Sequence, residues 1–184
     1  MDILAHALYG VTLFSRTGLA GGASGNCRTR SWVFDWTVWA AVAFALLPDT
    51  LSIGVEMLAA FIHGNLFTYA RVPEYVLILY QWTHNLLVAG AVSLLVRLLW
   101  KSLFMPALAW PLHILLDIFT HGPGRWNTPP LSPLSDFTLH GINWWRHPWV
   151  MIVYWSILII LWVAIHLWRR RAAANVHPTQ VVAR

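Results

Sequence analysis

Four long apolar runs dominate the chain, at roughly residues 32–53, 76–99, 103–120 and 149–168. Each meets the ~17 to 25 predominantly apolar residues that a membrane helix requires. A fifth run, near 3–22, is weaker: its continuous apolar part ends at Arg16, and it reaches full length only if 18–23 extend it while Arg16 snorkels to the headgroups. The runs predict an all-α, polytopic integral-membrane helical bundle with about five transmembrane helices, or four if the N-terminal segment does not span. Pro48 falls late in its run, where it should kink or end the helix. The stretch 52–62, with the lone Glu56, suits a segment lying along the interface. Trp82, Trp100, Trp110, Trp144, Trp145, Trp149 and Trp168 stand near run boundaries, where indole rings anchor helices at the headgroup level.

Composition agrees with that pattern. Of 184 residues, 58% are hydrophobic and 10% charged, which is a membrane protein's balance. No polar linker or internal repeat divides the chain, so residues 1–171 read as one transmembrane domain and 172–184 as a polar cytoplasmic tail expected to be disordered. The first run lacks the basic start and small-residue cleavage site of a signal peptide, since Asp2 opens it and His6 interrupts it, so it is expected to stay in the mature protein. A single cysteine, Cys27, excludes an internal disulfide and a cysteine-rich metal site.

The formal charge of +5 does not indicate nucleic-acid binding, because the basic residues lie at the ends of apolar runs. If all five segments cross, Arg16, Arg28, Arg30, Arg97, Lys101, Arg169, Arg170, Arg171 and Arg184 share one side, nine of the twelve Lys and Arg; Arg71, Arg125 and Arg146 share the other. The positive-inside rule then places the C-terminus in the cytoplasm and the N-terminus outside, in the plasma (inner) membrane.

Against this apolar background stand His6, Asp49, His84, His113, Asp117 and His121. At ~1.5 Å per helical residue, His84 and His113 each lie about 12 Å from the outer end of their runs. Asp117 falls one turn from His113, and the whole set gathers in the outer half of the bilayer. Ionisable groups there are costly, by roughly 2.5 to 3.5 kcal/mol or more each, so they face a polar interior and find partners. His113 and Asp117 are i and i+4 on one helical face and can reach one ion. His121 lies two turns from His113, so it serves a second ion or folds back if Gly122, Pro123 and Gly124 unwind the helix end. Histidine and aspartate without cysteine point to zinc or another first-row divalent metal, one or two ions, with a shared carboxylate able to bridge two. Interhelical hydrogen bonding is the bland alternative for these residues, and capping a new helical turn is the alternative for Asp49. His63, His166 and His177 read as solvated or interfacial, and Asp35 as a snorkelling or paired residue.

Four blocks resemble the YdjM-like family of membrane-bound proteins described as metal-dependent hydrolases: "LAHALYG" with His6, "LLPDTLSIG" with Asp49, "LYQWTHNLL" with Thr83 and His84, and "HILLDIFTHGPGRWNTPPLSPLSDFTLHGINWW" with His113, Asp117 and His121. The chain departs from the family at Leu51, where a second acidic residue is frequent, and at Gln81 and Asn85, where Arg and Ser are frequent. The resemblance implies a hydrolase.

The residues and the resemblance together predict a metal-dependent hydrolase with a site open to the extracytoplasmic side. His6, His84, His113, Asp117 and His121 are its expected ligands and Asp49 its general base. The loop 122–148 would form a lid whose Arg125 and Arg146 clamp an anionic group. An outer-leaflet site suits an amphiphilic substrate among the membrane lipids, such as a lipid-linked phosphoester. The competing readings are a metal-binding or transport-related protein, for which five spans without a repeat are a poor basis, and a non-enzymatic membrane organiser.

Overall fold

The computed structural model describes residues 1–22, 32–65, 72–127 and 129–176, and these are helical with no strand among them. The helices are α1 (Ile3–Phe14), α2 (Trp36–Leu51), α3 (Ile53–Ile62), α4 (Glu74–Thr83), α5 (Leu86–Leu99), α6 (Phe104–Ala107), α7 (Ala109–Thr120) and α8 (Pro148–Val176). Cys27, Arg28, Arg30, Arg71, His177 and Arg184 lie outside the described residues. Helix α8 runs beyond Arg171 to Val176, so the start of the expected tail is helical.

Two stretches, Lys101–Thr120 and Pro148–Ala172, are long and apolar enough to cross a membrane, and up to four are if each of two bent pairs is one span. The pairs are α2 with α3, bent by 69°, and α4 with α5, bent by 56°. Helix α1 has 12 residues, about 18 Å at ~1.5 Å per residue, short of the ~30 Å hydrocarbon core.

Each bend has a local cause. Pro48 does not end α2, which continues to Leu51 and breaks at Ser52, where the Ser52 hydroxyl donates to the Pro48 carbonyl at 2.8 Å. Between α4 and α5, Asn85 caps the new helix: its Oδ1 accepts from Leu87 N at 2.8 Å and Val88 N at 3.3 Å. The other polar groups of this break are met from a distance. Asn85 Nδ2 donates to Ser132 O at 2.6 Å, Leu86 N to Pro130 O at 2.8 Å, and Trp110 Nε1 to Thr83 O at 2.8 Å. Trp110 is therefore buried at 5% exposure rather than interfacial, because a backbone carbonyl inside the bundle satisfies its indole. Trp82, Trp100, Trp145, Trp149 and Trp168 are exposed. Asp35 is the N-cap of α2, accepting from Thr37 N at 2.9 Å.

Small residues bring α1, α2 and α7 together. A Cβ added to Gly10 would lie 2.9 Å from Ala45 Cβ and 3.2 Å from Ala109 Cβ, so only glycine fits this crossing without displacement. His6, Asp49 and His113 each lie four residues from one of these three positions, and i,i+4 residues share a helical face. The small layer thus sets the spacing of a polar layer one turn away. Helix α1 is pinned to α8 by Tyr9, whose hydroxyl donates to Tyr154 O at 2.6 Å, and by Asp2, whose Oδ2 accepts from Tyr154 Oη at 2.5 Å and Trp155 Nε1 at 3.2 Å. At its far end, Arg169 donates to the carbonyls of Thr17 and Arg16, at 2.5 and 3.1 Å.

Candidate metal centre

The polar layer contains all six of the ionisable residues that the sequence singled out: His6, Asp49, His84, His113, Asp117 and His121. His6, His84, His113 and Asp117 are 2%, 1%, 1% and 6% exposed, too enclosed for water to solvate their charges. His113 Nδ1 donates to Ala45 O at 2.6 Å and His84 Nδ1 to Tyr80 O at 3.1 Å. Carbonyl oxygens only accept, so each neutral ring carries its proton on Nδ1 and presents a bare lone pair at Nε2. These two Nε2 atoms face one another at 3.2 Å.

Asp117 closes the set. Its Oδ2 stands 3.1 Å from His113 Nε2 and 3.6 Å from His84 Nε2. Donors bound to one zinc at ~2.0–2.1 Å in tetrahedral geometry are about 3.3 Å apart, which is the scale of all three separations. Without a cation, three electron-rich atoms converge in a buried space. One shared proton relieves one contact, whereas a divalent ion relieves all three, so the donor set fits a metal. The ligand atoms of His6, His113 and Asp117, and those of Asp49, His84 and His113, likewise converge closely enough to hold an ion. Because one imidazole nitrogen serves one ion, both sets cannot use His113 Nε2 at once.

The remaining residues surround this core. Asp49 is not a helix cap: it lies inside α2 with Oδ1 3.5 Å from His84 Nε2 and Oδ2 3.8 Å from His113 Nε2, and its side chain is 19% exposed. His6 stacks on His113, ring centroids 3.6 Å apart, and donates from Nε2 to Asp117 Oδ1 at 2.9 Å, leaving its buried Nδ1 without a partner among the described residues. That bond orients Asp117 so that Oδ2 meets the two facing histidines. Oδ1 also takes the Met1 amine at 2.5 Å. Helix α7 ends at Thr120, and His121 folds back, with Nδ1 3.2 Å from Asp117 O and 3.3 Å from Asp117 Oδ1. It therefore meets Asp117 at Oδ1, whereas His84 and His113 meet Oδ2.

A pocket reaches the centre between Tyr80, His84, Ile114, Asp117, Ile118, His121, Trp126 and Asn127. Trp126 and Asn127 come from the segment after α7, the expected lid. Arg125 and Arg146 do not line this pocket: Arg125 Nη2 donates to Val72 O at 3.1 Å, and Arg146 is exposed before α8. Sequence reasoning missed Tyr80 and the carbonyl of Ala45. Tyr80 had a readable signal, since it stands one helical turn before His84; a backbone carbonyl leaves none. No family model, curated protein or solved structure matches the chain.

Proposed function

We propose that the chain is an integral-membrane metal-dependent hydrolase in which His84, His113 and Asp117 hold one divalent ion, zinc by the chemistry of the donors. The observation that carries this reading is the pair of Nε2 lone pairs facing at 3.2 Å with a carboxylate oxygen beside them. Three protein donors with room for a water are the arrangement of catalytic zinc, whereas structural sites are closed by a fourth. Such an ion lowers the pKa of a bound water and polarises a phosphoryl or acyl oxygen. Asp49, the most exposed carboxylate of the layer and the one with the longest contacts, is placed to take that water's proton. His6 holds Asp117 in orientation, and the pocket beside Trp126 has the room for the water. The resemblance to the YdjM-like family supports the same reaction class.

In this reading each bent pair counts as one span, giving four crossings with α1 packed against them. The basic residues put the C-terminus in the cytoplasm and the pocket on the extracytoplasmic side, where a lipid-linked phosphoester is the favoured substrate. The test is metal analysis of the purified protein, followed by hydrolysis of bis(p-nitrophenyl) phosphate and of phosphatidylcholine in mixed micelles. Chelator treatment, zinc add-back and a His113→Ala control complete it. We expect about one zinc per chain and zinc-dependent product release absent from His113→Ala. Folded, zinc-loaded protein that cleaves no ester would return the molecule to a metal-binding or structural role.

A further inference from the structure

Tyr80 is 3% exposed and lines the pocket beside His84, Asp117 and His121. Its ring is held on two sides, stacked on His84 at 3.7 Å between centroids and edge-on to Trp126 at 5.0 Å. Its backbone carbonyl fixes His84 as well, accepting from His84 N at 2.8 Å. Every part of this residue is therefore positioned except the hydroxyl, which makes no hydrogen bond among the described residues. Buried tyrosines ordinarily satisfy that group. Among the described residues the fully enclosed side-chain polar atom without a partner is His6 Nδ1, so the Tyr80 hydroxyl is not fully enclosed, and the pocket is the space that Tyr80 lines. The His84 ring on which it stacks has its Nε2 3.5 Å from Asp49 Oδ1 and 3.6 Å from Asp117 Oδ2, so Tyr80 lies beside the polar cluster.

We propose that Tyr80 is a catalytic residue of this site: its hydroxyl donates a hydrogen bond to a non-bridging oxygen of the phosphoryl group under attack. A phosphoryl oxygen gains charge as the nucleophile adds, and a fixed donor in a water-poor pocket stabilises that charge without reorganising. The role requires no proton transfer. This inference rests on the hydrolase reading, and its test separates the two.

Tyr80→Phe removes only the hydroxyl and keeps both ring contacts. Zinc content and thermal unfolding should match the wild type. Turnover of bis(p-nitrophenyl) phosphate should fall roughly 100- to 1,000-fold in kcat with KM little changed, the usual effect of losing one such donor. Binding of orthovanadate and of inorganic phosphate to the zinc-loaded proteins, followed by calorimetry, provides a readout without turnover. The variant should lose more affinity for vanadate, which resembles the transition state, than for phosphate. Wild-type turnover in Tyr80→Phe, alongside an inactive His113→Ala, would overturn the role of Tyr80 and leave the hydrolase standing. An inactive wild type would overturn the hydrolase reading; vanadate binding would still decide the tyrosine, with equal affinity in both proteins, or none in either, overturning it.

Discussion

His84 and His113 meet nitrogen to nitrogen, Nε2 to Nε2 at 3.2 Å, each with its opposite nitrogen turned to a backbone carbonyl. Two imidazoles oriented this way share a proton or hold a metal ion between them. Replacing either by alanine should abolish stoichiometric zinc binding. His166→Ala should bind as the wild type does, because His166 is exposed on α8 and stacks on Trp162 at 5.7 Å. Metal analysis after gel filtration checks this, and equal zinc in all three variants would reduce the pair to packing residues.

Asp49 separates from the ligands in a second measurement. Asp49→Asn should keep zinc and fold while kcat falls roughly 100- to 10,000-fold, the contribution of a positioned general base. Weakened zinc affinity with activity partly restored by excess metal would make Asp49 a ligand instead.

Gly10 sets the approach of α1 to α2 and α7. Gly10→Val should destabilise the protein by about 1–3 kcal/mol, the range for overpacking a tight contact. It should also weaken zinc binding by moving His6 away from Asp117. Gly90 is the control: a Cβ there meets nothing within 4 Å, so Gly90→Ala in α5 should be neutral or stabilising by up to about 1 kcal/mol. Thermal unfolding in detergent reads both.

Orientation can be read by labelling. In a Cys27→Ser background, Asp136→Cys should react with an impermeant thiol reagent applied to intact cells, and Ala173→Cys only after lysis. The reverse pattern would put the pocket on the cytoplasmic face.

The helices were legible as apolar runs because burial in lipid demands length and hydrophobicity alone. The break at Asn85 was not, although it falls inside the run 76–99. Its cap residue is visible in the sequence, but the carbonyls that make the break tolerable belong to residues 130 and 132. The site was legible at the level of residue type and depth: His6, Asp49, His84, His113, Asp117 and His121 do converge. Their division of labour was not, because it depends on which atoms face inward. His121 shows this, since its place beside Asp117 Oδ1 follows from where α7 ends. Trp110 resembles an interfacial anchor in sequence, and only the carbonyl of Thr83 explains its burial.

The interrupted α4–α5 pair also constrains the order of biosynthesis. When residues 74–99 leave the ribosome, the segment that supplies Pro130 O and Ser132 O has not yet emerged. A helix that enters lipid with an open break would leave backbone polar groups unsatisfied. The pair is therefore expected to enter the bilayer as a straighter helix and to bend after residues 129–132 arrive. His84, at the hinge, then takes its final position only after that segment arrives, so the His/Asp cluster is completed late.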